Sequence, residues 1–169
     1  MTLRIRSAQL PEDATALATL AWAYRDLLIG RTGHVPDMVE RYYSKTSYAA
    51  LIADLPRIHA RPLGDILVAD LDGDVVGCAM YYPHPSGPCE VKRIYVSDAA
   101  RGLGAGGLLL QAAMAAAKAE GHTRMVLDTV HTLTEAIALY EKNGFQPCDP
   151  FYDPDPAFAN TLRFFDHAL

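Results

Sequence analysis

The stretch RGLGAGG, Arg101 to Gly107, constrains this chain more than any other. It places four glycines in seven residues directly before the apolar run LLLQAAMAAAKAEG. Bare backbone opening a helix serves the close approach of something to that backbone. Helix N-termini carry unpaired N–H groups and the positive end of the helix dipole, so the natural visitor is an anion such as a phosphate. Two registers of the same letters describe two such loops. Gly102, Gly104 and Gly107 spell G-x-G-x-x-G, the dinucleotide fingerprint, with Asp128 about 20 residues on, where a ribose-binding acid belongs. Arg101, Gly104 and Gly106 spell R-x-x-G-x-G.

The surroundings decide between them. A dinucleotide loop follows its strand almost directly, whereas here Ser97 to Arg101 separate Val96 from Gly102. It also needs further βα units downstream, and about forty residues remain after Asp128. Upstream, the apolar runs Ile66–Leu71 and Val75–Tyr82 meet across Asp72-Gly73, a strong hairpin signal that makes the sheet antiparallel there. Leu3–Ser7 alternates as a first strand, and Pro11, Glu12 and Asp13 open a helix running to about Gly30. In that helix Leu17, Leu20, Ala21, Tyr24 and Leu28 recur at helical spacing, which makes Trp22 and Tyr24 packing residues. Arg31 to Gly64 reads as two short helices broken at Pro36 and Pro56. CEVKRIYVS is a strand in which Glu90, Lys92 and Ile94 share one face. The alanine-rich helix ends at Gly121, MVLDT is a strand, Thr132 to Glu135 opens a helix with a capping box, and two strands around a proline-rich loop close the chain. The fold class is α/β, a mixed α+β sheet flanked by helices. No repeat or linker divides the chain, so residues 1–169 read as a single domain.

Net charge is −5, which argues against a nucleic-acid partner. The N-terminus lacks a signal-peptide core and Gly102–Ala117 is too short and glycine-rich to span a bilayer, so no membrane partner and a cytoplasmic location are expected. Cys78, Cys89 and Cys148 have no metal-ligand spacing, so no metal is expected, and no partner base for covalent chemistry. Asp70, Asp72 and Asp74 fail as a calcium loop because the glycine is misplaced and Tyr81 stands where a glutamate should.

Strand, turn, R-x-x-G-x-G and helix together resemble the acetyl-CoA loop of the GNAT superfamily of N-acyltransferases. AIALYEKNGF, Ala136 to Phe145, resembles the same family's A-x-x-L-Y-x-x-x-G-F. The resemblance implies a GNAT-type fold, a mostly antiparallel sheet with a parallel central pair, and acetyl-CoA as acyl donor. It implies cofactor contacts from the backbone of Ile94, Tyr95 and Val96, from the loop Arg101, Gly102, Leu103, Gly104, Ala105, Gly106 and Gly107, and from Tyr140. Tyr140 is the implied acid toward the sulfur. Glu90 is the implied base for the amine, with Asp128, His131 or water in reserve. Many relatives carry asparagine seven residues before the tyrosine; here that residue is Leu133, so the contact to the pantetheine arm is missing. The implied activity is N-acetylation of a primary amine, on a small molecule or a protein, by direct attack in a ternary complex. A non-catalytic acyl-CoA-binding or sensory module is the alternative. The acceptor pocket is expected between Arg31–Gly64, which offers His34, Tyr42, Tyr43 and Tyr48, and the loop after Tyr82. A homodimer is compatible with this reading.

Overall fold

A computed structural model describes residues 1–169. Seven strands form one sheet: β1 (Leu3–Ser7), β2 (Asp65–Leu71), β3 (Asp74–Pro83), β4 (Cys89–Val96), β5 (Arg124–Val130), β6 (Gln146–Pro147) and β7 (Leu162–Ala168), ordered β1-β2-β3-β4-β5-β7-β6. Every pair is antiparallel except the central β4–β5 pair. The β2–β3 hairpin turns at Asp72 and Gly73, with φ +53° and +102°, the double left-handed geometry that Asp-Gly suits. The nearby acids hold no cation loop: Asp70 accepts from the Gly73 amide and pairs with Arg4 and Arg6.

Helices cover both faces. Alternation along β2 and β3 sends Leu67, Ala69, Ala79 and Tyr81 to one side, under Leu109, Leu110, Ala113 and Ala117 of α4 (Ala105–Ala119). The two alanines are fully buried and let the helix lie close to the sheet. Each buried leucine contributes roughly 1.5–3 kcal/mol. Ile66, Val68, Cys78 and Met80 face the other way, against Leu17 and Leu20 of α1 (Ala14–Arg31) and Leu55 of α3 (Lys45–Ile58). A third cluster joins Leu28, Met38 of α2 (Asp37–Tyr42), Val130, Leu162 and Phe164. No helix is long and apolar enough to cross a membrane.

Two local expectations need correction. Pro56 does not break its segment; α3 runs through it with one backbone N–H bond forgone and ends two residues later. The capping box at Thr132 does not form. The Thr132 hydroxyl donates to the Arg31 carbonyl at 2.7 Å, Glu135 pairs with the Arg31 guanidinium, and α5 (Thr134–Lys142) starts behind Leu133. Residues that look like a local cap instead clasp the end of α1.

Candidate active site

The site begins with a failure of strand pairing. β4 and β5 are joined only at Cys89–Met125 and Glu90–Val126, after which they diverge. The later residues of β4 therefore present an unpaired edge to a cleft. A second irregularity lies in β4 itself. Met80 pairs with Lys92 but Cys78 with Tyr95, so β4 carries one extra residue. That residue is Arg93, whose φ of +53° is rare for a side chain of its size. The bulge reverses the alternation beyond it. Ile94 and Val96 join the α4 side with Val91, while Tyr95 packs toward α1. The expectation that Ile94 shares a face with Glu90 and Lys92 is thus overturned, because bulges are invisible to a simple period of two.

From Val96 the chain makes one 3₁₀ turn (Asp98–Ala100) and enters the glycine loop. Gly102 and Gly104 have φ of +78° and +76°, and Gly104 is the N-cap of α4. None of the amides of Gly102, Gly104, Ala105, Gly106 and Gly107 donates a hydrogen bond within the protein. Five free N–H groups at a helix N-terminus form an anion socket. Its glycines divide by role. Gly102 and Gly104 supply the left-handed turns, whereas Cβ atoms at Gly106 and Gly107 would meet Leu139 of α5 at 3.5 and 3.7 Å. The latter two serve the approach of α5 as much as access to the loop. Arg101 pairs with Asp98 at the surface, so the socket is made chiefly of backbone.

The cleft beyond encloses about 290 Å³. Its floor is a chain of polar groups. Glu90, 2 % exposed, accepts from the Tyr82 hydroxyl at 2.5 Å and from Lys92 Nζ at 2.8 Å. Lys92 Nζ lies 3.8 Å from Asp128, which accepts from the Tyr152 hydroxyl at 2.7 Å. Burial works against the charge on Lys92, but Asp128 and Glu90 prevail and hold its pKa well above the usual lysine value. Burial, and then the carboxylate each one serves, push Tyr82 and Tyr152 far above the ordinary tyrosine range, so both remain donors. Two carboxylates flank one lysine along this floor, and Arg93 lines the same cleft.

Tyr140 enters from α5. Its ring packs with Phe145 and Phe165, and its hydroxyl faces the cleft with no hydrogen bond to the protein. Burial, aided by Asp128, raises its pKa above the usual tyrosine value, so it keeps its proton across the neutral range. Glu90, Lys92, Ile94, Asp128 and Tyr140 therefore meet in one place. Other expected residues do not. Tyr48 is buried with its hydroxyl on the Ala21 carbonyl, and His34 lies against His131 and near Thr161. His131 Nδ1 contacts the Thr161 carbonyl, away from the cleft. Leu133 packs in the cluster with Leu28 and Phe164. Burial pushes Cys78 and Cys89 up to about 12, and no cysteine lines the cleft.

The sequence profile of the acetyltransferase (GNAT) family matches residues 32–145, two-thirds of the chain. The chain belongs to the GNAT family. Among curated relatives, it is 39 % identical over 103 residues to an uncharacterised N-acetyltransferase of Schizosaccharomyces pombe, covering 60 % of this chain and 63 % of that one. It is 41 % identical over 100 residues to the IAA acetyltransferase of Azospirillum brasilense, covering 57 % and 65 %. The chain thus spans less than two-thirds of the length of these relatives. Among solved structures, the PaiA N-acetyltransferase of Thermoplasma acidophilum in complex with coenzyme A superposes over the whole of both chains with a TM-score of 0.69 at 19 % identity. That likeness is one of fold.

The GNAT cleft also holds residues that sequence reasoning missed as site residues. Tyr24 lines it from α1 rather than simply packing, and Tyr152 and Leu162 reach it from the C-terminal segment. Tyr82 could have been found: in the pair Tyr81-Tyr82 a strand must turn one ring to each face. Arg93 stood in EVKRIYV, but nothing local announced the bulge that places it here.

Proposed function

We propose that the protein transfers the acetyl group of acetyl-CoA to a primary amine held in the cleft, by direct attack in a ternary complex. One observation carries the reading: five free amides on a glycine loop lead straight to a splayed strand edge, where an unpartnered tyrosine hydroxyl and a buried carboxylate wait. The residues present fit acetyl-CoA. The amides of Gly102 and of Gly104 to Gly107 hold its pyrophosphate, and the left-handed turns at Gly102 and Gly104 leave open space above the loop. When bound, acetyl-CoA supplies an activated thioester. The unpaired edge of β4 from Ile94 to Val96 offers backbone N–H groups to its carbonyl oxygen, an oxyanion-hole role.

The chain's own groups then handle protons. An alkylammonium has a pKa near ~10.4 and must lose a proton before it can attack. Glu90 accepts it at the end of the cleft floor. Tyr82 and Lys92 each occupy one of its oxygens, yet a carboxylate has about four acceptor sites and keeps room for another donor. Tyr140 Oη delivers a proton to the departing sulfur. Lys92 stays charged between Glu90 and Asp128 and keeps both carboxylates in place.

The test is release of free thiol from acetyl-CoA by the purified protein across a panel of primary amines. Thiol release that depends on the amine supports the reading. Binding of coenzyme A with no turnover of any amine would point to an acyl-CoA-binding module. Tight binding of NAD in place of coenzyme A would restore the dinucleotide register.

A further inference from the structure

The chain buries six charged side chains of Asp, Glu or Arg to nine-tenths or more: Asp13, Arg25, Asp65, Asp70, Glu90 and Arg93. Five of them have an opposite charge in contact: Asp13 and Asp70 pair with Arg6, Arg25 with Glu40, Asp65 with Arg61, and Glu90 with Lys92. Arg93 is the exception. It is 7 % exposed, forms no ion pair, and lines the cleft. Its polar neighbour is the Tyr48 hydroxyl, which is neutral and already donates to the Ala21 carbonyl. A desolvated cation without a counter-charge is expensive, and one partner of a buried pair left alone typically destabilises a protein. Here the backbone is held in the left-handed region at that same residue, so the position is maintained against two separate costs.

We infer that Arg93 receives a carboxylate of the acceptor, and that the acceptor is a small amine that also carries a carboxylate, in the manner of an amino acid. This rests on the acetyl-transfer reading above and names the substrate class for the same cleft. The geometry suits such a molecule. Arg93 and Glu90 belong to one strand and both line the cleft, which offers a guanidinium without a counter-charge and an amine-accepting carboxylate to one occupant. Guanidinium is the side chain built for a planar carboxylate, which it binds through two parallel hydrogen bonds. Tyr24 and Tyr43 also line the cleft, and neither hydroxyl is bonded to the protein. A cleft of about 290 Å³ is at the small end of ligand sites and suits an acceptor no larger than a single amino acid beside the acetyl end of the donor.

The experiment compares matched acceptors on the wild-type protein. Each standard amino acid, with β-alanine and 4-aminobutyrate, is assayed by thiol release beside its amide and its decarboxylated amine. The carboxylated member of at least one set should lead by about 100-fold in kcat/KM, because a site built for a charged group rejects the analogue lacking it. In Arg93→Gln that lead should collapse while turnover of the decarboxylated amine stays within about threefold, and Arg93→Lys should restore part of it. Equal or better turnover of the uncharged members by the wild type overturns the inference and leaves acetyl transfer standing. An equal loss for both members in Arg93→Gln, with unchanged melting temperature, also overturns it. Failure of every amine removes the acetyl-transfer reading, and the inference falls with it.

Discussion

Replacing Tyr140 by phenylalanine removes one oxygen that the fold does not use. The hydroxyl has no hydrogen-bond partner in the protein, while the ring packs with Phe145 and Phe165 at centroid distances of 6.2 Å. Stability should therefore change by no more than about 0.5 kcal/mol, and binding of coenzyme A should survive. Turnover should not. General acids contribute roughly 10²–10⁴-fold, and an alkyl thiol with a pKa of ~8.5 is a fair leaving group unaided, which places the loss near the lower end, about 100-fold at pH 7. Its behaviour with pH follows. Burial keeps Tyr140 protonated beyond the usual tyrosine range, so the wild type retains its acid as pH rises. In the variant the sulfur leaves as thiolate, a step that takes no proton from solution, so the ratio of wild-type to variant kcat should stay constant between pH 7 and 9.5. Thiol-release kinetics over that range, with melting temperature and calorimetric binding of coenzyme A alongside, test all three parts. An unchanged kcat at pH 7, or a deficit that disappears across this range, would refute the role given to this hydroxyl.

Gly104→Val should abolish coenzyme A binding in calorimetry and cost about 1–2 kcal/mol in stability. Backbone strain at φ +76° is the source, since nothing lies within 4 Å of the added Cβ. Lys92→Met should destabilise by about 2–3 kcal/mol in urea unfolding at pH 7, because Glu90 and Asp128 lose the cation between them. With its pKa raised in the folded state, the Lys92 contribution is fully present below the ordinary lysine pKa of ~10.4 and lost only at higher pH. His59 behaves in the opposite way. Burial lowers its pKa from 6.5 to about 4, so the unfolded chain binds the extra proton between those values and stability falls as pH drops through them. The slope is at most roughly 1.4 kcal/mol per pH unit, about 3 kcal/mol in all. His59→Gln should flatten that part of the acid-unfolding curve.

What could be read from the residues alone was whatever is local. The Asp72-Gly73 turn, the loop register and the helix carrying Tyr140 each depend on a few neighbouring residues whose backbone preferences agree. Where a side chain had a more distant competitor, local reading failed. Thr132 and Glu135 have the letters of a capping box, yet Arg31, about a hundred residues earlier, takes both. Tyr48 and Tyr43 look alike in sequence. Only the packing of α3 on α1 sends one hydroxyl to Ala21 and leaves the other at the cleft. Tyr24 and Tyr152 join Asp128 only because the sheet order brings α1 and the C-terminal segment beside β5. The splay of β4 from β5 has no sequence signature, although it is what creates the cleft.

The bulge at Arg93 sets the phase of everything downstream in β4. Substituting this residue and deleting it are consequently different lesions. Arg93→Gly would keep the extra residue and its left-handed turn and remove only the guanidinium. Excising the residue would instead restore strict alternation across the remaining three positions of the strand. Ile94 and Val96 would then follow Val91 onto the α4 side by plain alternation and Tyr95 would keep the α1 side, whereas straightening the strand with Arg93 still in place would turn all three to the wrong faces. The position therefore joins two separable features, a guanidinium at the cleft and a left-handed kink that absorbs one extra residue without changing the faces of its neighbours.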